Sequence, residues 1–298
     1  MESYLGESAS LLVAIFWTVT ALAFDRASNR IGSLSLNVIR LVMGFLFLAV
    51  FTLIYRGSLL PTDATGFNWI WLALSGLVGF VFGDLFLFKS YTIIGSRFAM
   101  LIMTFAPPIA ALTGWITLGE QLSPMDLTGM ILTMTGISLA IFYRPQKGKK
   151  IAMKLSAKGV LFAFLGAAGQ GIGLVLSKYG MGEYDPFAAT QIRLIAGLFG
   201  FILLTTYLKR WTSVIKATKN APGMKAAALG SFFGPFLGVS FSLLAIKYTQ
   251  TGIAATIMAI VPILIIPPAI ILYKEKVSLL EVFGSFISIS GVALLFLF

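Results

Sequence analysis

Asp84 is the residue of this sequence whose position most favours chemistry, because it lies in the segment Gly83-Asp84-Leu85-Phe86, inside an apolar run. An ionisable group at membrane depth is costly and usually faces a cavity, a charged partner or a proton path. The position predicts either a partner for a substrate amine or a protonatable coupling site. A structural alternative stays open, because the run ends at Lys89 and Asp84 could reach interfacial water.

Two arginines also lie within apolar runs, in the matching segments Ile39-Arg40-Leu41 and Ile192-Arg193-Leu194. Either side chain could bind a substrate carboxylate, or it could extend its charged end to the nearer interface and set the depth of its helix. Their occurrence in both halves of the chain favours the second interpretation, because one substrate rarely needs the same group at both ends. We interpret both arginines as scaffold charges.

Aromatic, polar and methionine side chains inside other apolar runs are further candidates. A buried glutamine needs hydrogen-bond partners, so Gln170 is expected to face a cavity. Trp17 could stack on an apolar or aromatic solute, and packing against the core or lipid is its alternative role. The residues predicted to line a cavity, besides Asp84, are Trp17, Thr18, Tyr91, Met103, Gln170 and Met258.

The elements that must hold these side chains are apolar helices. Of the 298 residues, 58% are hydrophobic and 11% are charged, whereas a soluble domain is about 25% charged. This composition excludes a soluble enzyme and a disordered chain. A membrane-spanning helix needs about 20 apolar residues, and the runs lack the alternation of barrel strands. Ten runs lie at about 8–24, 34–55, 68–88, 96–118, 124–143, 157–177, 187–208, 225–246, 251–273 and 278–298.

Several classes of chemistry are missing from the sequence. It contains neither cysteine nor histidine, so the commonest general base and the usual transition-metal ligands are lacking. The glycines form no phosphate loop or dinucleotide motif, since no strand precedes them. The net charge of +11 is typical of basic cytoplasmic loops rather than of nucleic-acid binding. We expect no enzyme activity, no cofactor and no metal.

The two halves of the sequence repeat each other. Each half holds five runs, an odd number, so the second copy is expected to be inverted relative to the first. We predict an all-α integral membrane protein of ten transmembrane helices, with inverted five-helix repeats at 1–144 and 157–298 and a basic linker at 145–156. Residues identical at an offset of 155 include Gly79/Gly234, Gly83/Gly238, Met103/Met258, Pro107/Pro262, Glu120/Glu275 and Gly136/Gly291.

Prolines and acidic turns recur in both repeats. Proline removes a backbone hydrogen bond and kinks a helix, so matched prolines predict helix breaks or hinges near the midplane. The acidic residues Glu120 and Glu275 precede serines that can cap the next helix, and we interpret them as scaffold charges of tight turns. An inverted repeat would put these two on opposite faces. The predicted hinge positions are Pro107, Pro108, Pro262 and Pro267.

These features resemble the drug/metabolite transporter superfamily, specifically its EamA-type ten-helix members. The resemblance covers essentially the whole chain and departs in the second turn, where Lys274 replaces a glycine. It implies a small-molecule transporter, often an exporter of amino acids or related metabolites, that works by alternating access. The pattern consists of Pro107, Leu118-Gly119-Glu120, Ser123, Gly129 and Gly136, with the echo Pro262, Lys274-Glu275, Ser278, Gly284 and Gly291.

The basic residues indicate an orientation. Seventeen flank the five loops on one side, and three, Arg56, Lys178 and Lys247, lie on the other. The positive-inside rule places the seventeen in the cytoplasm and both termini outside. The resemblance implies the reverse orientation, with both termini inside. We favour the orientation from the charge count, because it rests on the residues of this chain. The expected location is a bacterial inner (plasma) membrane.

The sequence therefore predicts a secondary transporter that moves a small organic metabolite, an amino acid or related amphipathic solute, most simply by export. Two alternatives stay open: a non-transporting partner subunit of the membrane, and a lipid-handling membrane protein. The expected partners are a small-molecule substrate and the lipid bilayer, with no nucleic acid, and the protein is expected to be a monomer or a homodimer. Proton coupling by Asp84 and facilitated diffusion remain equally open.

Overall fold

The fold is known from a computed structural model, which describes residues 4–143, 156–273 and 277–297. Within these ranges the chain is helical and has no strand. Two short segments, Leu77–Gly83 and Phe232–Gly238, are π-helical. The α-helices are α1 Leu5–Ile31, α2 Ser33–Arg56, α3 Gly66–Gly76, α4 Asp84–Met103, α5 Ala106–Leu118, α6 Pro124–Tyr143, α7 Ala157–Met181, α8 Pro186–Tyr207, α9 Trp211–Thr218, α10 Ala221–Ser231, α11 Val239–Tyr248, α12 Thr251–Met258, α13 Val261–Leu264, α14 Ile266–Tyr273 and α15 Leu279–Leu297.

Ten stretches of these helices are long and apolar enough to cross a membrane, so the chain is a multi-pass membrane protein with ten spans, as predicted. The first of these helices is longer than the apolar run at 8–24, because it continues past the apolar stretch through the exposed residues Asp25 and Arg30. We number them span 1 to span 10: Leu5–Ile31, Ser33–Arg56, Gly66–Leu87, Ala99–Leu118, Pro124–Phe142, Ala157–Met181, Pro186–Tyr207, Ala221–Tyr248, Thr251–Pro268 and Leu279–Phe296.

Polar residues in the loops determine where several spans begin. Ser123 and Asp126 cap span 5 reciprocally: the backbone N–H of Asp126 donates to Ser123 Oγ at 3.1 Å, and the N–H of Ser123 donates to Asp126 Oδ2 at 2.8 Å. At the start of span 10, the N–H of Glu281 donates to Ser278 Oγ at 3.1 Å. These contacts satisfy backbone donors that a helix start leaves free. Gly119 ends α5 in the left-handed region, at φ 68°.

The two repeats are distorted in the same way. The π-helical segment of span 8 lies 155 positions after that of span 3, the offset that relates the two repeats in sequence. The first repeat also interrupts its helix between Met103 and Ala106, and the second does so between Met258 and Val261, again at the same offset. π-helical turns are uncommon and are frequent at functional sites. Matched interruptions of this kind direct attention to the centre of the bundle.

Glycines decide which spans meet. Span 6 lies along span 3, because Gly169 and Gly173 lie against Gly83 and Gly79, so closely that a Cβ at Gly169 would lie 2.7 Å from the Gly83 Cα. Small residues allow helices to approach in this way in lipid. Span 8 lies along span 1 through three glycines spaced four apart, which face Phe24, Thr20 and Trp17 in turn. Those three glycines are Gly230, Gly234 and Gly238.

Spans 5 and 10 form a separate pair. A Cβ at Gly136 would lie 2.5 Å from the carbonyl oxygen of Gly284, and a Cβ at Gly284 would lie 2.7 Å from that of Gly136. The backbones of the two helices are therefore in direct contact. Because the contact joins the last span of each repeat, it ties the two repeats together.

Side-chain contacts define the two ends of the bundle. Glu7 near the start of the chain accepts a hydrogen bond at 2.6 Å from Thr249, between spans 8 and 9. Lys178 at the end of span 6 donates to Glu120, between spans 4 and 5, at 2.7 Å. These residues lie at one end, which we call the terminal face. The opposite end carries the connections between spans 1 and 2 and between spans 7 and 8, with basic residues such as Arg30, Lys209 and Arg210, and we call it the basic face.

Candidate functional site

A polar cluster lies at the junction of spans 2, 3 and 6. The guanidinium of Arg40 donates to the carboxylate of Asp84 and forms an ion pair with it. Gln170 Nε2 donates to Asp84 Oδ1 at 3.1 Å and to the backbone carbonyl of Gly79, also at 3.1 Å. The Asp84 residue is 7% exposed. We call Arg40, Asp84 and Gln170 the central polar cluster.

The local helix geometry positions this cluster. Asp84 follows directly on the π-helical segment of span 3, and Gln170 follows Gly169, which contacts the Gly83 backbone. The close approach of two glycines thus brings the two polar side chains that follow them into contact. The carbonyl of Gly79, within the π segment, supplies a further acceptor for Gln170.

An aromatic group from span 1 lies against the second π-helical segment, at the location that the repeat relates to the central polar cluster. Trp17 lies against Gly238, the last residue of the second π segment: a Cβ there would be 2.6 Å from Trp17 Nε1. Phe16 packs edge-on against Phe241 at 5.6 Å between ring centroids. The position that matches Asp84 is Val239. The backbone is repeated, but one side of the centre is polar and the other is aromatic.

Three of the predicted cavity residues, Thr18, Met103 and Met258, make contacts outside the central polar cluster, and their role as cavity residues stays a prediction. Thr18 is buried and donates to the carbonyl of Ala14 within its own helix, at 2.8 Å. Met258 is 2% exposed and belongs to a hydrophobic core formed by spans 1, 3, 6, 7, 8 and 9. Met103 packs on a smaller group of apolar residues near Leu87. The side chain of Tyr91 lies outside the part of the chain that the structure describes.

The predicted hinge prolines stand at helix starts. Pro107 and Pro108 follow Ala106, the first residue of α5, and Pro262 is the second residue of α13. Pro267 lies near the start of α14. A proline near the start of a helix removes no intrahelical hydrogen bond there, so each break is compatible with continued helix on its C-terminal side. Whether the breaks move during function stays a prediction.

The two arginines of the repeats differ in their surroundings. Arg40 belongs to the central polar cluster, whereas Arg193 is 5% exposed and lies over the ring of Phe80, 5.0 Å from its centroid. Both guanidinium groups contact side chains of span 3, and their role as scaffold charges stays a prediction. These contacts are tertiary: Asp84 and Phe80 reach the arginines from span 3, and sequence position alone does not pair spans.

A hydrogen-bond network connects several spans at the terminal face, and sequence reasoning had singled out only one of its residues, Glu120. Glu120 accepts from Lys178 at 2.7 Å and, through Oε2, from the side chain and backbone N–H of Thr251 at 2.6 and 3.0 Å. Lys178 also donates to the carbonyl of Thr249 at 2.7 Å. The network therefore joins the turn between spans 4 and 5 to spans 6 and 9. Glu275, its counterpart in the second repeat, lies outside the described residues.

A second charged group lies in the loops of the same face. The hydroxyl of Tyr184 donates to Asp63 at 2.9 Å, and Arg56 donates to the other carboxylate oxygen at 2.5 Å. Partial burial opposes ionisation of Asp63, but these bonds outweigh it and keep the pKa of Asp63 below its ordinary range. Partial burial and the bond to Asp63 raise the pKa of Tyr184 to about 12.

Two cavities lie away from the central polar cluster. An apolar groove of about 570 Å³ between spans 4 and 5 includes Trp115 and Glu120 in its wall. A polar pocket of about 450 Å³ at the terminal face includes Glu7, Lys178 and Lys247. Within the described residues, no three acidic side chains are grouped so as to hold a metal ion.

Ten spans, a duplicated backbone and a central group of polar and aromatic side chains define a membrane transporter built from two repeats. The family model described as the EamA-like transporter family matches this chain twice, at residues 4–142 and 157–297. The chain belongs to this family, which lies in the drug/metabolite transporter superfamily. The resemblance seen in the sequence is confirmed.

Two individual proteins are similar to this chain. "Uncharacterized transporter YoaV" of Bacillus subtilis (strain 168) is 26% identical over 138 residues, which is 46% of this chain and 47% of YoaV. The match thus spans about half the length of that curated relative. A crystal structure of another protein superposes with a TM-score of 0.74 and 16% identity, over 97% of this chain and 95% of that one. At that identity the likeness concerns the fold alone.

Proposed function

We propose that this protein is a secondary transporter for a small amphipathic organic metabolite, with amino acids the first class to test. The central observation is the chemical asymmetry between two matched backbones. One side presents the central polar cluster, and the other presents Trp17 and Phe241, both half-buried. A solute with a charged end and an apolar or aromatic end is complementary to both sides, as small-molecule sites require.

The transport cycle we propose is alternating access, with the two sides of the bundle rocking about the matched helix breaks. At the terminal face, Lys178, Glu120 and Thr251 join three spans. The apolar core that contains Met258 lies among spans 1, 3, 6, 7, 8 and 9. This supports a conformer that is closed at the terminal face. Opening there requires the network around Glu120 to separate, and the matched breaks supply the places where the helices can bend.

The positive-inside rule supports an orientation in which the basic face is cytoplasmic and both termini are outside, in a bacterial inner membrane. In this orientation the conformer described is closed to the outside, and net export is the direction we propose. Asp84 is the candidate for proton coupling. Because Arg40 already pairs with it, protonation of Asp84 would have to release Arg40, which would couple a proton to the packing of spans 2 and 3.

The test is transport in proteoliposomes, using labelled amino acids, nucleosides, organic acids and cationic drugs, each with and without a pH gradient. We expect saturable movement of amphipathic solutes. Trp17→Ala is expected to raise the KM for aromatic solutes, and Trp115→Ala is the matched control, because Trp115 is 60% exposed on the outer surface. No movement of any solute by folded protein would contradict the proposal and favour a partner-subunit or lipid-handling role.

A further inference from the structure

Arg193 is held in the interior of the bundle by the packing of span 7 on span 3. A Cβ at Gly76 would lie 3.0 Å from the Arg193 Cα, so the two backbones are in direct contact there. The residue is 5% exposed, and its guanidinium lies over Phe80. Span 7 begins at Pro186, seven residues earlier, with Asp185 as its cap. The charge is therefore fixed in place within the membrane-spanning part of the protein.

The charge of Arg193 has no acidic partner among the described residues. Its Nε is buried without a hydrogen-bond partner, and no described carboxylate lies within ion-pair distance. The counterpart Arg40 is paired with Asp84, but Val239 stands where the second repeat would supply the same carboxylate. An arginine stays protonated in proteins, and a buried charge is unfavourable unless it is paired. Contact with Phe80 offsets only part of this penalty.

The guanidinium of Arg193 lies beside the central polar cluster. A Cβ at Gly79 would lie 3.5 Å from Arg193 Nη2, and the carbonyl of the same glycine accepts the hydrogen bond from Gln170. Arg40 and Asp84 neutralise each other, so Arg193 leaves this region with one excess positive charge. That excess matches a solute that brings a single negative charge.

We infer that Arg193 binds the carboxylate of the transported solute, so that a carboxylate is required for transport and an amine is not. This inference rests on the proposed transport function and names the chemical group that decides its specificity. The planar guanidinium presents paired N–H donors that match the two oxygens of a carboxylate. A phosphate ester carries about two negative charges near neutral pH. The single positive charge of Arg193 would compensate only one of them. A monovalent carboxylate is therefore the better match to this charge balance.

Three probes with one aromatic ring separate the two charged groups of an amino acid. Phenylalanine has both groups, 3-phenylpropionate has only the carboxylate, and phenethylamine has only the amine. We expect phenylalanine and 3-phenylpropionate to be transported, or to compete with each other, and phenethylamine to do neither. Phenyl phosphate serves as the second anionic probe. Transport of phenethylamine but not of 3-phenylpropionate, or transport of phenyl phosphate in preference to 3-phenylpropionate, would overturn the inference.

Substitution then tests the residue itself. Arg193→Gln is expected to raise the KM for the carboxylate probes at least tenfold, and Arg193→Lys is expected to recover part of that loss. Arg30→Gln is the matched control, because Arg30 is exposed at the basic face. A purely structural arginine would instead lower the maximal rate for all solutes alike without a KM shift, and that result would refute the binding role.

The outcomes also separate this inference from the function on which it rests. If wild-type protein moves none of the probes or other metabolites, the proposed function fails. If it moves solutes without regard to the carboxylate, only the role of Arg193 fails. If Arg193→Gln does not elute as folded protein, the comparison of the three aromatic probes on wild-type protein, together with Arg193→Lys, still decides the question.

Discussion

Removing the charge of Asp84 tests whether the central polar cluster is needed for folding, for transport or for both. In Asp84→Asn, the guanidinium of Arg40 keeps its buried position but loses its ionic partner. The two side chains are 15% and 10% exposed. Breaking a buried ion pair by removing one partner costs about 3–5 kcal/mol, and we take about 3 kcal/mol because an asparagine oxygen can still accept from Gln170. At about 2 °C per kcal/mol for a chain of this size, the midpoint of thermal unfolding should fall by about 6 °C.

The double variant Arg40→Met, Asp84→Leu separates stability from function. Replacing a buried pair by apolar side chains of similar volume is often neutral or stabilising, so this variant should regain most of the lost unfolding midpoint. We expect it to remain inactive in the proteoliposome assay, because the polar half of the site is gone. Unfolding is measured by fluorescence-detected size exclusion after heating. If Asp84→Asn keeps both its midpoint and its transport rate with an unchanged pH response, the reasoning about this cluster is wrong.

Three further predictions address packing, gating and pH. Gly136→Ala should lower the free energy of unfolding by about 1–3 kcal/mol, because its Cβ meets the backbone of span 10. The control Gly66→Ala, with open space around it, should be neutral in the same unfolding assay. Glu120→Gln should speed maleimide labelling of Met258→Cys from the terminal face about tenfold, since a bond to a charged group is worth about 1.5–3 kcal/mol. An unchanged labelling rate would contradict the proposal that the Glu120 network keeps the terminal face closed. The raised pKa of Tyr184, about 12 against an ordinary 10.0, favours its neutral form in the fold. The stability difference from Tyr184→Phe should therefore hold below pH 10 and vanish toward pH 12 in thermal unfolding, and a difference independent of pH would refute it.

Much of the candidate site was accessible from sequence because burial of polar groups in lipid is costly wherever it occurs. Asp84 and Gln170 stand out within apolar runs, and the structure brings them together. Arg40 also stands out in the sequence, but its ion pair with Asp84 could not be predicted, because the pairing depends on how span 2 lies against span 3. The roles proposed for these residues stay predictions until transport is measured.

Other contacts had no usable signal in one sequence. Lys178 reads as an ordinary basic residue at a helix end, and its bond to Glu120 arises only because the turn between spans 4 and 5 folds over span 6. Thr18 satisfies its hydroxyl within its own helix, an option open to any threonine in a span. The π-helical segments could not be predicted from the sequence either, since a single extra residue per turn leaves the apolar pattern almost unchanged.

The sequence by itself determined the ten spans, the duplication and the family, because hydropathy and repeated residues are properties of the chain read in order. The tertiary structure decided which charges are neutralised. Arg40 and Arg193 occupy matching positions in sequence, yet one meets a carboxylate and the other an aromatic ring. The reason is that electrostatic free energy depends on distances between helices, and the close glycine contacts that set those distances form only when the spans pack.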